Sequence, residues 1–332
     1  MFWLPDGTRF WVYSNDRKHG TGAFTSENNK GGREDIQGFA TGLVYGEQVT
    51  LEYYVPKEVH EIGVISVAYV VHGYRYILIP DNFDTTGYGE SLPNCHNNVN
   101  CPEGQPWQSE KKAVAMIFVD GIRWCSGSLI NTTAKDLRPL FPTANYCLAL
   151  SNADAIHSPN LNYWSFYWHY ESPSCVNAIP SSSKSTSGTK VVANNTISDF
   201  SIFQLTENQL NTNGIIPYFL GWDCSGNAGT SGVGIHHPTG DIKKISFTYQ
   251  IQNYPYSLSW VPTSIPDAYW QVYFSQQSDG TMEGGSSGSP LINNSHRVIG
   301  QLRGGTVKCA PTTFYYGKFN VSWTGSVKLT VN

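Results

Sequence analysis

The chain is short of charge, of long apolar runs and of helical periodicity. Asp, Glu, Lys and Arg make up only 14% of 332 residues, and the net charge is −4. No basic run stands out, which argues against a nucleic-acid surface. No apolar stretch approaches the roughly 18 residues of a membrane-spanning helix. The first residues lack a basic segment followed by an apolar one, so they do not read as a leader peptide. Seven cysteines are present and none forms a CxxC pair. Widely spaced cysteines read as disulfide partners rather than metal ligands. An exported, extracellular protein whose leader is not part of this sequence is the expectation, with no metal and no cofactor.

Aromatic residues are abundant: 20 Tyr, 15 Phe and 10 Trp, with 32 Gly and 18 Pro. Short β-prone runs between turn residues indicate an all-β protein. Strands are expected at 10–13, 49–55, 62–71 and 74–79, and these compose a small N-terminal β domain over residues 1–92 with a linker near 81–93. Further strands are expected at 113–119, 124–130, 163–170, 197–205, 215–222, 245–251 and 298–302. The Ser/Thr-rich segment 180–188 reads as a flexible surface loop, and a short helical turn is expected near 324–328.

One stretch carries chemistry. Gly284-Gly285-Ser286-Ser287-Gly288-Ser289-Pro290 fits neither helix nor strand. Glycines admit positive φ and a close approach to the backbone. Such a loop can present the Ser287 hydroxyl and aim the N–H groups of Gly285 and Ser287 at one point, as a serine nucleophile with an oxyanion hole requires. Alone, a Gly/Ser run is more often a linker.

Ordered blocks elsewhere strengthen the catalytic reading. They are Cys-His-Asn-Asn-Val-Asn-Cys-Pro at 95–102, Cys-Ser-Gly-Ser-Leu-Ile-Asn-Thr-Thr at 125–133, and Pro-Thr-Ala-Asn-Tyr-Cys at 142–147. Ser198-Asp199-Phe200, Gly221-Trp222-Asp223, Ile235-His236-His237-Pro238, Gln301-Leu302-Arg303-Gly304-Gly305 and residues 316–323 come after them. Over about 93–325 the chain resembles chymotrypsin-fold serine peptidases, and within them the bacterial lysyl endopeptidase group. The resemblance implies two antiparallel six-stranded β-barrels, about 93–205 and 206–332, with an active site between them. It implies Ser287 as nucleophile, Asp199 as the orienting acid, and disulfides Cys95–Cys309, Cys101–Cys175 and Cys125–Cys147, leaving Cys224 free.

The resemblance also locates two departures. The general base stands immediately before Cys147, and Tyr146 is there. A neutral imidazole takes and returns a proton near pH 7, whereas a phenol with an ordinary pKa near 10 holds its own. Loss of the base costs a serine triad on the order of a millionfold in kcat. Among the other histidines, His157 is the least improbable substitute. In the S1 pocket, Phe314 occupies the place of a lysine-binding aspartate and Arg303 that of a histidine. A lysine ammonium buried without that carboxylate goes unpaired. The expectation is a secreted pseudopeptidase that binds a protein or peptide in the cleft or through its aromatic surface. The competing expectation is an active extracellular endopeptidase with a non-standard base.

Overall fold

In a computed structural model, residues 1–68, 70–72, 92, 94–119, 123–150, 161–178, 184–206, 210 and 215–324 are described. The N-terminal region holds β1 (Phe2–Trp3), β2 (Arg9–Ser14), β3 (Gly20–Phe24), β4 (Val49–Tyr54) and β5 (Val64–Ile65). β1 pairs with β5, and β2 lies between β3 and β4, all antiparallel. Phe2, Leu4, Phe10 and Val12 form its core against Phe24, Phe39, Val44, Tyr53 and Ile65. The strand expected over 62–71 reduces to β5. Its flanks lack a covering layer: Ile62, Val67 and Val70 are all exposed. The strand expected at 74–79 lies outside the described residues.

The N-terminal region is attached to the barrel wall downstream of it. Leu43 joins a cluster of Met116, Tyr167, Tyr170 and Ile242. Lys30 Nζ donates to the Ser187 carbonyl, and Asn162 Nδ2 to Gln37 Oε1 at 3.0 Å.

After β6 (Asn97–Asn98) come β7 (Val114–Val119), β8 (Arg123–Ser128), β9 (Leu140–Ala144), β10 (Ser165–Trp168), β11 (Lys184–Ser187), β12 (Thr189–Asn195) and β13 (Phe200–Leu205), with α1 (Asn145–Leu150) after β9. Two antiparallel sheets, β11-β10-β7-β8 and β12-β13-β9, meet at both ends. The Ile130–Leu140 bridge joins the β8 side to β9, and β11 runs into β12 through Gly188 alone. The strands thus trace a circuit. Residues 184–187, expected to be loop, are strand β11. Their small hydroxyl side chains are satisfied inside: Trp168 Nε1 donates to Thr186 Oγ1 at 3.1 Å, and Ser187 receives Lys30. A buried hydroxyl with a partner costs little.

The second half contains β14 (Gly221–Trp222), β15 (Gly232–His236), β16 (Lys244–Thr248), β17 (Ile251–Tyr254), β18 (Tyr269–Phe274), β19 (Pro290–Asn293), β20 (Arg297–Gly305) and β21 (Thr312–Lys318), then α2 (Phe319–Thr324). The strand expected at 215–222 shrinks to β14 and a bridge at Leu220. Of the helical turn expected at 324–328, Thr324 ends α2, and residues 325–328 lie outside the described residues. The sheet order is β17-β18-β21-β20-β19-β15-β16-β6. Because β16 continues into β17 after two residues, this order also returns on itself. Val233, Ile235, Ile245, Ile292 and Val298 of this half share one core cluster with Val114, Ile117, Phe141, Trp168 and Phe203 of the first. The two halves are therefore packed face to face.

Three disulfides join Cys95 to Cys309, Cys101 to Cys175 and Cys125 to Cys147, and Cys224 is a free thiol. A bridge is typically worth about 2–4 kcal/mol. No helix among the described residues is long and apolar enough to cross a membrane.

One buried ion cluster braces the junction. Lys243 Nζ is fully buried and donates to the Lys111 carbonyl at 2.8 Å and to Glu171 at 3.2 Å. Lys111 reaches the other Glu171 oxygen at 2.6 Å. Burial pushes Glu171 up, but Lys243 and Lys111 outweigh it and hold its pKa down at about 2. Its contribution is present above the ordinary carboxylate range and is lost as pH falls toward 2. Glu171→Gln, which strands a buried ammonium, should cost about 3–5 kcal/mol in urea unfolding at pH 7. Lys243→Met, which leaves Glu171 its Lys111, should cost less.

Candidate active site

The loop 284–290 is fixed by its carbonyls. Ser126 on β8 donates its N–H to Ser287 O at 2.8 Å and its hydroxyl to Gly285 O at 2.9 Å. Gly284 O accepts from the Thr239 N–H, and Ser286 O accepts from the Ser289 N–H at 3.0 Å. A trans peptide points its N–H opposite its carbonyl. Anchoring the carbonyls of Gly284 and Ser286 therefore directs the N–H groups of Gly285 and Ser287 the other way. No described group accepts from either one.

Two positions in the loop admit only glycine. Gly285 has φ 92°, and a Cβ there would lie 2.8 Å from both His237 O and Thr239 N. Gly288 has φ 83°, and a Cβ would overlap Thr143 Oγ1. The sequence places glycine where the left-handed backbone and the close approach both demand it.

Buried polar groups support the loop from below. His236 sits between Ser286 Oγ at 2.8 Å and Ser246 Oγ at 3.1 Å. His96 Nε2 meets Glu283 Oε2 at 2.6 Å. Burial, with His96, His237 and Lys244 adding to it, holds His236 neutral, its pKa well below the usual imidazole value. His237 is lowered to about 3, chiefly by burial. Its Nδ1 faces the Asp241 carbonyl at 2.9 Å, so that nitrogen carries the proton. Both are fully buried framework histidines.

Asp199 lies in a left-handed turn, φ 54°. Asp tolerates that conformation better than most side chains. Gln301 Nε2 secures the turn through Ser198 O at 2.7 Å and Asp199 O at 3.3 Å. From it the Asp199 carbonyl receives the Asn145 N–H at 3.0 Å, and Oδ1 receives the Tyr146 N–H at 2.7 Å. Asp199 thus caps the start of α1. The main-chain N–H of Tyr146, not its phenol, is what reaches the carboxylate. The other oxygen, Oδ2, faces Arg303 Nε at 3.4 Å and has no hydrogen-bond partner among the described residues.

Arg303 and Phe314 do not share surroundings. A register shift between Leu302 and Gly304 puts a bulge at Arg303. Its guanidinium lies over the Tyr146 ring at 4.6 Å and the Trp260 ring at 5.0 Å. Phe314 is buried in a cluster with Trp270, Phe274, Met282, Leu302 and Tyr316. Arg303 is therefore a neighbour of Asp199 and Tyr146 rather than part of the Phe314 environment. That placement depends on the bulge, which no local sequence pattern announces. The Ser126 hub and the Trp260 ring likewise escape a reading of the sequence, since single serines and tryptophans carry no positional signal.

Ser287 is partly exposed, and its hydroxyl forms no hydrogen bond with another described residue. His157 lies outside the described residues.

Two antiparallel circuits packed together, with a glycine-bounded serine loop pinned across them, are the architecture of a chymotrypsin-like serine peptidase. The chain belongs to the lysyl endopeptidase family: the family model "Lysyl endopeptidase, C-terminal domain" matches residues 88–317. A lysyl endopeptidase from Pseudomonas aeruginosa is 25% identical over 290 residues, covering 82% of this chain and 58% of that protein. The chain thus spans under two thirds of that relative's length. Among solved structures, a mutant of Rv3671c from M. tuberculosis in an inactive form is similar at 13% identity and TM-score 0.44, covering 73% of this chain and 97% of that one. Deg5 is similar at 14% identity and TM-score 0.44, covering 66% and 89%. The MamO protease domain from Magnetospirillum magneticum is similar at 12% identity and TM-score 0.41, covering 65% and 96%.

Asp199 also sets a pH dependence. Burial raises its pKa to about 7, and the Arg303 charge and the Tyr146 N–H offset this only in part. The unfolded carboxyl ionises near 4, so between about pH 4 and 7 the folded chain holds the proton that the unfolded chain has lost. Its contribution to stability therefore declines as pH rises through that window, and the cost is fully present above it. Asp199→Asn keeps an oxygen for the Tyr146 N–H and removes the buried charge. It should raise Tm relative to wild type at pH 8 and much less at pH 5, as thermal unfolding at the two pH values will show.

Proposed function

We propose that this chain is an extracellular serine peptidase homologue whose cleft is kept for binding while peptide cleavage is severely impaired. The observation that carries this reading is the position of Tyr146. It precedes Cys147, where the family resemblance puts the general base, so a phenol stands in place of an imidazole, and its main-chain N–H rather than that phenol bonds Asp199 Oδ1, at 2.7 Å. The second Asp199 oxygen faces Arg303. With a phenol at the base position and no described histidine bonded to Ser287, nothing described is arranged to take the serine proton.

The rest of the apparatus supports a retained binding surface. The N–H groups of Gly285 and Ser287 are unspent, and the loop that carries them is cross-braced. An oxyanion hole and cleft without a base leave a small rate over water. The pocket chemistry speaks against a lysine preference, because Phe314 is surrounded by apolar side chains where an ammonium would need a carboxylate. The disulfides fit an oxidising, extracellular setting.

The purified chain should resist labelling by a fluorophosphonate probe and leave a broad peptide library intact. Tyr146→His should raise labelling of Ser287, to the extent that Asp199 and Arg303 yield room for an imidazole. Rapid labelling or cleavage by the unaltered chain, abolished by Ser287→Ala, would establish the active-peptidase alternative instead.

A further inference from the structure

We propose that Arg303 anchors a carboxylate, so that the cleft takes an acidic peptide rather than a basic one. This deepens the proposed function, on which it rests for the cleft being a binding surface.

The geometry of one side chain carries the inference. The Arg303 guanidinium lies over two rings, Tyr146 at 4.6 Å and Trp260 at 5.0 Å. A planar guanidinium presents its N–H donors along its edge. On that edge Nε is turned to Asp199 Oδ2 at 3.4 Å. No described residue accepts a hydrogen bond from Nη1 or Nη2. Those terminal donors form the fork that fits a carboxylate with two parallel bonds.

Three features make this a prepared site rather than a stray surface arginine. The side chain is only 16% exposed, so its charge is partly stripped of water yet reachable. Its rotamers are already restricted by the rings, so little ordering remains to be done on binding. Its charge is incompletely balanced: the single contact to Asp199 is longer than a charge-assisted bond. The acid is further engaged by the Tyr146 N–H.

The surroundings indicate a peptide. Trp260 is 45% exposed and Tyr146 41%. Trp260 continues into Tyr315 at 6.2 Å, which packs on Tyr254 at 4.9 Å, and Tyr254 on Tyr256 at 5.7 Å. A half-exposed aromatic strip running out from a cation suits a chain with one acidic group and apolar side chains beside it. Either a Glu or Asp side chain or a terminal carboxylate supplies the shared chemistry.

The test uses the full chain carrying Ser287→Ala, so that binding is read whether or not the wild-type protein cleaves. Fluorescein-labelled pentapeptides are compared by anisotropy: Ala-Trp-Xaa-Ala-Ala with Xaa as Glu, Gln or Lys, each with an amidated or a free C-terminus. The expected result is at least about tenfold tighter binding for a carboxylate-bearing peptide than for the amidated Gln and Lys peptides. Preference for Glu in the amidated set assigns a side chain, and preference for the free terminus assigns the chain end. The selectivity should vanish in Arg303→Gln and persist, weakened, in Arg303→Lys, which keeps the charge without the fork. Equal binding of all peptides, tighter binding of the Lys peptide, or selectivity that survives in a folded Arg303→Gln overturns the proposal. The side-chain comparison with Arg303 intact decides it even where the variant fails to fold. Cleavage by the wild-type chain would defeat the proposed loss of catalysis without touching this inference.

Discussion

Ser126 is the joint on which the candidate site depends. It sits fully buried on β8 of the first circuit and binds the serine loop of the second through two separate groups, its N–H and its hydroxyl. The same hydroxyl receives the His237 N–H at 3.0 Å, and its carbonyl receives Thr143 Oγ1 at 2.7 Å. Every polar group of one small residue is therefore spent on holding two sheets and one loop in register. An apolar residue of similar size there would leave Gly285 O and the His237 N–H unpaired in the interior, each at a cost of about 1–3 kcal/mol. The Cys125–Cys147 bridge stands beside this joint and ties β8 to α1, so the residues around Tyr146 are held from the same strand.

From that joint the chemistry of the cleft emerges by subtraction. The loop keeps its shape because its carbonyls are committed elsewhere, not because anything sits on its N–H groups. The acid keeps its turn because Gln301 holds it, not because a histidine needs it. Asp199 caps a six-residue helix through its Oδ1 and its carbonyl, and its Oδ2 faces Arg303.

Much of the architecture is legible in composition and alternation. Short β-branched and aromatic runs mark β2, β4, β7, β8 and β20, because a half-buried pleated strand selects those side chains locally. Gly285 and Gly288 of the serine loop are legible for an equally local reason, their positive φ. Legibility ends where burial is decided at a distance. Residues 62–71 are apolar enough for a strand but, among the described residues, pair with β1 alone, whereas the polar segment at β11 becomes a strand because β10 offers an edge and Trp168 and Lys30 satisfy its hydroxyls. The family resemblance puts Arg303 in the S1 pocket with Phe314, whereas at the bulge its guanidinium faces Asp199.

The attachment of the N-terminal region has a bearing on what would follow from its removal. Leu43 is shared with the wall of the first circuit, and Lys30 and Gln37 are bonded to it. Detaching the upstream portion would bare the greasy side of Met116, Tyr167 and Ile242 to water and invite association with whatever could re-cover it. The upstream portion thus buttresses the barrel wall, and severing it raises a question of solubility.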